Sequence, residues 1–120
     1  MKISEKAKKL IEGRTVVLGT VGDLGPNVTP VAACKVIDDK IIVTNNYLGS
    51  TLENILKNPN IAVGVWDDSN LDEAYGFKFY GKAEYHADGK WLDFVQGLEE
   101  NEGMPSKGAI VFTSEYIKEI

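Results

Sequence analysis

The stretch Ile41–Val65, IIVTNNYLGSTLENILKNPNIAVGV, contains the features that decide the fold. Its β-branched start predicts a strand, which runs into a polar loop of small residues. That loop opens a short helix, Ser50–Asn58, which Pro59 ends before another strand. Because the first N–H groups of a helix are unpaired and its dipole is positive there, the loop suits an anion such as a phosphate. The alternative is that Ser50 or Thr51 only caps the helix.

The composition is that of one ordinary globular domain. The chain has 120 residues, of which 43% are hydrophobic, and we expect a single domain over residues 1–120. Its net charge of −5 without a basic stripe argues against a nucleic acid partner. No apolar run approaches the roughly 20 residues of a membrane-spanning helix, and the first residues lack a signal peptide core. We therefore expect a cytoplasmic protein.

Five further strands surround the strand that opens this stretch. Turn residues at Asp23–Pro26 and Asp38–Lys40 predict tight hairpins. Pro30 indicates an edge or a bulge, because proline cannot donate to a strand ladder. The other predicted strands are Arg14–Val21, Asn27–Ile37, Asn60–Trp66, Tyr75–His86 and Gly108–Thr113, and the other predicted helices are Ile3–Glu12 and one within Ala87–Gly103. Six strands joined mainly by hairpins, with short helices, predict a mainly β protein built as a small closed or half-closed antiparallel barrel.

Four segments in this order resemble one family. They are GPNVTPV (25–31), IIVTNN (41–46), LGSTLENILKNPNIAVGVW (48–66) and GFKFYGKAEYH (76–86). Together they are similar to the FMN-binding split-barrel proteins of the pyridoxamine 5′-phosphate oxidase-like superfamily, and to its small FMN-binding members in particular. The resemblance implies a six-stranded antiparallel split β-barrel that forms a homodimer, with one FMN in each of two clefts at the subunit interface.

The resemblance also implies which residues bind the cofactor. In such proteins the second strand lies along the isoalloxazine ring, and the end of the third strand with the following loop holds the phosphate. The positions that match the ring-binding strand are Thr29, Pro30, Val31, Ala32 and Ala33. Those that match the phosphate loop are Thr44, Asn45, Ser50 and Thr51.

This chain departs from the family pattern in its charges. Family members commonly carry a lysine or arginine at the start of the helix after the loop, whereas Ser50–Leu52 has none. A phosphate carries about −1.5 to −2 charges at neutral pH, so the neutral donors must rely on the helix dipole or on Lys35, Lys57 or Arg14 through space. The departure leaves open a different ligand, a deazaflavin or a haem, in a non-catalytic binding module.

The side chains predict no protein-based chemistry. With one histidine and a single cysteine, Cys34, no nucleophile set, metal-ligand cluster or disulfide can be assembled, so the cofactor must carry any reaction. The resemblance then implies a small oxidoreductase or electron carrier whose catalytic residues and redox partner stay unknown. Oxidation of vitamin B6 phosphates is not expected, because the late R-x-H element of the true oxidase has no counterpart in SEYIKEI (114–120).

Two further features allow more than one interpretation. Trp66 follows a buried strand, so it suits core or interface packing, or stacking on a flavin of the neighbouring subunit. The acidic pair Glu99-Glu100 lies near a loop and is typical of a solvated surface rather than of a catalytic site.

Overall fold

The computed structural model describes all 120 residues as one seven-stranded antiparallel sheet with helices on both of its faces. The strands are β1 Val16–Gly22, β2 Gly25–Val31, β3 Lys35–Ile37, β4 Lys40–Asn45, β5 Asn60–Asp67, β6 Tyr75–His86 and β7 Gly108–Glu119. The helices are α1 Glu5–Gly13, α2 Ser50–Lys57 and α3 Lys90–Gln96, with 3-10 turns at Leu71–Glu73 and Glu99–Asn101. None of these helices has the length and apolarity needed to cross a membrane.

The prediction of six strands was wrong. The predicted strand Asn27–Ile37 is divided into β2, which pairs with β1, and β3, which pairs with β4. The physical reason is a change of direction at Ala33, whose φ of 54° lies in the left-handed region and cannot continue a strand. The sheet runs in the order β2-β1-β5-β6-β7-β4-β3 and is not closed, because β2 and β3 remain edges.

Other elements follow the expectations from sequence. β6 has the bounds predicted for it, with Phe77 and Phe79 buried between exposed lysines and tyrosines. The Asp38-Asp39 hairpin uses positive φ angles of 50° and 60°, which match the right-handed twist of the flanking strands. Ser4 caps α1 by accepting a hydrogen bond from the N–H of Ala7. β7 continues beyond its predicted end at Thr113 and ends at Glu119.

The core has a main part and a smaller one. Twenty buried residues of α1, α2 and the strands form the main cluster, in which Leu10, Phe79 and Phe112 are almost inaccessible. On the opposite side of β4 and β7, Val95 of α3 packs with Ile42, Ala109 and Val111. Burial of these side chains from both sides fixes β4, whose carboxyl end enters the loop that precedes α2.

Both edges of the sheet are modified. β2 carries Pro26 and Pro30, which lie four residues apart and therefore face the same way along the ladder. Proline is tolerated where its missing N–H would point away from the neighbouring strand, so these positions face outward from β1. At the other edge, the N–H of Val36 in β3 donates to Oε2 of Glu12 in α1 over 2.9 Å.

Candidate functional site

A pocket of about 350 Å³ opens between the end of β2 and the end of β4, and we call it the β2–β4 pocket. Six of the nine predicted cofactor residues line it together: Thr29, Pro30, Val31, Ala32, Ala33 and Thr44. The other lining residues come from the loop after β4 and from the segment after α3: Asn46, Tyr47, Leu48, Glu100, Asn101 and Met104.

The local sequence explains the shape of one wall. β2 stops at Val31, and the chain turns through Ala32 and Ala33 before β3 begins. Because Ala32 and Ala33 carry only a methyl group and Pro30 is compact, a flat ring could approach the backbone closely at this wall. Strained backbone such as the positive φ of Ala33 is often found at binding sites.

A buried asparagine holds the opposite wall. Nδ2 of Asn101 donates to Oγ1 of Thr44 and to the carbonyl oxygen of Val95, both over 2.8 Å. Asn46 extends this network, since its Nδ2 donates to Oδ1 of Asn101 and its Oδ1 accepts from the N–H of Ser106 over 2.8 Å. These bonds fasten the segment between α3 and β7 to the loop after β4, and so fix the width of the pocket.

The other three predicted residues lie outside the pocket. Asn45 is buried and its side chain is engaged, because Nδ2 donates to the Tyr85 hydroxyl and Oδ1 accepts from the N–H of Leu48. Thr51 is buried and accepts a hydrogen bond from Nδ2 of Asn27 over 3.2 Å. Ser50 lines a separate hollow between α2 and the β1–β2 turn.

The start of α2 leaves its first backbone donors without a side-chain acceptor. The cap position is Gly49, and no side chain accepts a hydrogen bond there. The alternative that Ser50 or Thr51 caps the helix was therefore wrong. An anion at this end would meet a positive dipole, although Glu53 in the first turn also occupies the region.

Each of the three cations suggested as phosphate partners is already paired. Arg14 contacts Asp67 over 2.6 Å, and Lys57 contacts Asp23 over 3.2 Å. Lys35 forms an ion pair with Glu100, and its hydrogen bond lowers the pKa of that carboxyl group below the usual value. None of the three cations is therefore free to meet an added anion.

Glu100 is the only charged side chain that lines the β2–β4 pocket. Its side chain is 45% exposed, in agreement with the solvated surface predicted for Glu99-Glu100, and it also pairs with Lys35. Because its pKa is lowered, the carboxylate is ionised at neutral pH. The pocket therefore presents one negative charge, with Lys35 beside it.

An additional lysine lies next to Tyr47, one of the residues that line the pocket. Nζ of Lys107 lies 5.9 Å from the centroid of the Tyr47 ring, which lines the pocket. The backbone N–H of Lys107 donates to the carbonyl oxygen of Asn45 over 2.8 Å. Unlike Arg14, Lys35 and Lys57, Lys107 forms no ion pair.

The remaining reactive side chains, Cys34 and His86, do not line the pocket. Burial raises the pKa of the Cys34 thiol to about 12, so the residue stays a neutral packing group at physiological pH. His86 ends β6 and lies 3.3 Å from Glu84. Histidine, cysteine, aspartate and glutamate side chains nowhere form a group of three placed to hold a metal ion.

The largest concavity has a volume of about 560 Å³ and lies on a different part of the sheet, which we call the outer face. Neighbouring positions across five strands form it: Val28, Gly19, Ala62, Tyr80 and Tyr116. Val28 is 73% exposed, and the Tyr80 and Tyr116 rings pair with their centroids 6.0 Å apart. Trp66 is also 47% exposed, which rules out packing in the core of its own subunit.

Sequence reasoning missed half of the pocket lining. The loop residues after Thr44 were within reach of the pattern, because they adjoin the predicted phosphate loop. Glu100, Asn101 and Met104 follow α3 in an acidic segment without periodicity, so no local signal distinguishes them from an ordinary surface loop.

Comparisons with known proteins agree with the fold described above. A family model described as pyridoxamine 5′-phosphate oxidase matches residues 3–120. An uncharacterised protein of Methanocaldococcus jannaschii is 28% identical over 117 residues, covering 92% of this chain and 76% of that protein. The crystal structure of HupZ from Group A Streptococcus has a TM-score of 0.85 at 26% identity, covering 99% of this chain and 94% of that one. An FMN-binding protein from Syntrophomonas wolfei subsp. wolfei has a TM-score of 0.80 at 21% identity, covering 97% and 84%.

Proposed function

Because this chain belongs to the pyridoxamine 5′-phosphate oxidase family, we propose that it is a homodimeric FMN-binding flavoprotein that serves as a small oxidoreductase or electron carrier. One observation carries the proposal. The residues matched to the ring-binding strand, Thr29–Ala33, line the same pocket as Thr44 from the phosphate loop, although β2 and β4 are not neighbours in the sheet.

The residues present fit FMN in two respects. The wall at Pro30–Ala33 has small side chains against which a flat ring can lie, and the first N–H groups of α2 lack a side-chain acceptor. FMN, when bound, supplies the capacity to accept and release electrons or hydride. The chain's own contribution is to hold the ring against β2, to fix Thr44 through Asn101, and to exclude water with Leu48 and Met104.

We expect the outer face to be the homodimer interface. It is concave, and it combines small residues with the exposed side chains of Val28, Tyr80 and Tyr116. Contiguous exposed apolar surface of this kind is typical of interaction sites. Since β2 contributes Val28 to this face and Pro30 to the pocket, a partner seated there would border the cofactor and help to enclose it.

Replacing Ala62 by arginine should break the dimer. Ala62 lies in the middle of the outer face, so a long charged side chain there would be buried unpaired against the partner. Light scattering on the eluting protein should give twice the chain mass of 13.2 kDa for the wild type and about 13.2 kDa for the variant. Leu71→Arg, at an exposed residue of the 3-10 turn, is the control and should remain dimeric. A monomeric wild type would contradict the proposal.

Titration with FMN tests the cofactor. We expect the wild type to bind with a dissociation constant of about 1 μM or lower, which corresponds to about −8 kcal/mol. Ala32→Phe should weaken binding at least about tenfold, because its ring fills the pocket. Ala87→Phe makes the same change at an exposed position outside the pocket and should not alter affinity. The readouts are flavin fluorescence and the visible spectrum. A colourless protein that shows no spectral or thermal response to added FMN would refute the proposal.

One alternative is a non-catalytic module for a deazaflavin or a haem. Tyr47 and Met104, which line the pocket, are residues of types that can ligate haem iron. Parallel titrations with the deazaflavin and with haemin separate the possibilities. A preference for either ligand over FMN would establish the alternative.

Oxidation of vitamin B6 phosphates is not part of the proposal. The segment Ser114–Ile120 lacks the late R-x-H element, and it forms the end of β7.

A further inference from the structure

We propose that Lys107 supplies the positive charge for the FMN phosphate that the start of α2 lacks. This inference rests on the proposed function, because it assigns a role within the same cofactor site. It identifies a cation in the segment between α3 and β7, far along the sequence from the predicted phosphate loop.

The first step of the argument is the state of the other cations near the site. Lys35 is held by Glu100, and Glu100 itself lines the pocket. Lys57 and Arg14 contact Asp23 and Asp67. Releasing any of them to a phosphate would leave a carboxylate unpaired beside the incoming negative charge. Lys107 has no carboxylate partner, so its charge can meet a phosphate without such a loss.

The second step is the position of the Lys107 backbone. Its N–H donates to the carbonyl oxygen of Asn45, a residue of the predicted phosphate loop. The preceding residue, Ser106, donates its N–H to Oδ1 of Asn46. Two consecutive backbone N–H groups therefore bond this point of the chain to the end of β4 and to the loop that follows it.

The third step is the reach of the side chain. Nζ of Lys107 already lies over the ring of Tyr47, a lining residue of the pocket, at 5.9 Å from the ring centroid. Lys107 is exposed, so its four-carbon stem can move without breaking buried contacts. An ammonium group next to Tyr47 can complement a phosphate that carries about −1.5 to −2 charges.

The positions of Lys107 and Glu100 also give the pocket two ends that differ in charge. Lys107 lies beside the loop that leads to α2, whereas Glu100 pairs with Lys35, which begins β3 just after the ring-binding segment. A ligand with a neutral ring and an anionic tail is therefore oriented with its tail towards Lys107.

Comparing FMN with riboflavin tests this assignment, because the two ligands differ only in the phosphate. Both are titrated by fluorescence into the wild type, Lys107→Met and Lys107→Arg. Lys90→Met is the matched control, since Nζ of Lys90 lies over the Trp91 ring at 5.1 Å, on α3 and away from the pocket. The titrations are run at about 0.1 M and 1 M salt, because salt screens an exposed charge pair.

We expect the wild type to prefer FMN over riboflavin, and Lys107→Met to reduce that preference about tenfold while leaving the riboflavin affinity unchanged. Lys107→Arg and Lys90→Met should keep the wild-type preference, and high salt should lower it in the wild type but not in Lys107→Met. The inference is overturned if Lys107→Met keeps the preference, if it weakens both ligands equally, or if the wild type binds both ligands alike. If the wild type binds neither flavin, the proposed function fails, and this inference fails with it.

Discussion

Replacing Asn101 by alanine should lower the free energy of unfolding by about 3 kcal/mol, because it removes two donors from buried acceptors. The carbonyl oxygen of Val95 and the hydroxyl of Thr44, both of buried residues, would lose short hydrogen bonds. Asn46 would lose its contact with Oδ1 of the same side chain. Denaturant unfolding followed by intrinsic fluorescence measures the change, since both tryptophans report on the fold.

The same substitution should also weaken FMN binding. Asn101 lines the β2–β4 pocket and holds Thr44 in place, so its loss widens the site. Asn70→Ala is the control, because Asn70 is exposed, lies outside both concavities, and its side chain accepts a hydrogen bond only from the N–H of Asp72; its cost should stay below about 1 kcal/mol. A loss of less than about 1 kcal/mol in Asn101→Ala would mean that the network does not hold the pocket.

Gly81→Ala should be destabilising by a similar amount, about 3 kcal/mol, through a backbone collision. A Cβ atom at this position would lie 2.0 Å from the carbonyl oxygen of Thr113 in the neighbouring strand. The register between β6 and β7 shifts at this point, where Tyr80 faces Tyr116 and Gly81 faces Ser114. Only glycine allows the two backbones to approach so closely. Relief would require the whole ladder between β6 and β7 to move.

Thermal and denaturant unfolding of Gly81→Ala should be compared with Gly64→Ala in the adjacent strand β5. A Cβ atom at Gly64 meets no heavy atom within 4 Å, so this control should be neutral or slightly stabilising, by up to about 0.5 kcal/mol. Equal effects of the two substitutions would show that strand propensity, and not the contact with Thr113, determines the cost.

Much of the fold could be predicted because its signals are local. The alternation of aromatic and charged residues in β6 specifies a strand with one buried face, and the positions of its two ends follow from the flanking turns. The division between β2 and β3 could not be predicted in this way. Val31–Cys34 continues the apolar character of a strand, and the turn at Ala33 depends on the docking of β3 against β4 and Glu12.

The candidate site shows the same contrast between residues with a local sequence signal and residues brought together by tertiary packing. The resemblance to family members predicts Thr29–Ala33 and Thr44 as cofactor residues, and the structure brings them together in one pocket. Asn101 reaches Thr44 from 57 positions away, and Glu100 faces the pocket only because the segment after α3 folds back over the loop after β4. No spacing within the sequence encodes these contacts. They arise from tertiary packing alone.

An open sheet has two edge strands with which strands of other chains could pair, and in this protein both edge strands disfavour such pairing. The two prolines of β2 lack the N–H groups that would point away from the sheet. The carboxylate of Glu12 accepts a hydrogen bond from an N–H group of β3. Edge-to-edge pairing between sheets of different molecules, and fibril growth by the addition of strands, are therefore disfavoured at both edges. In the proposed homodimer, the two copies would instead meet through the outer face, a closed pairing that does not extend into a filament.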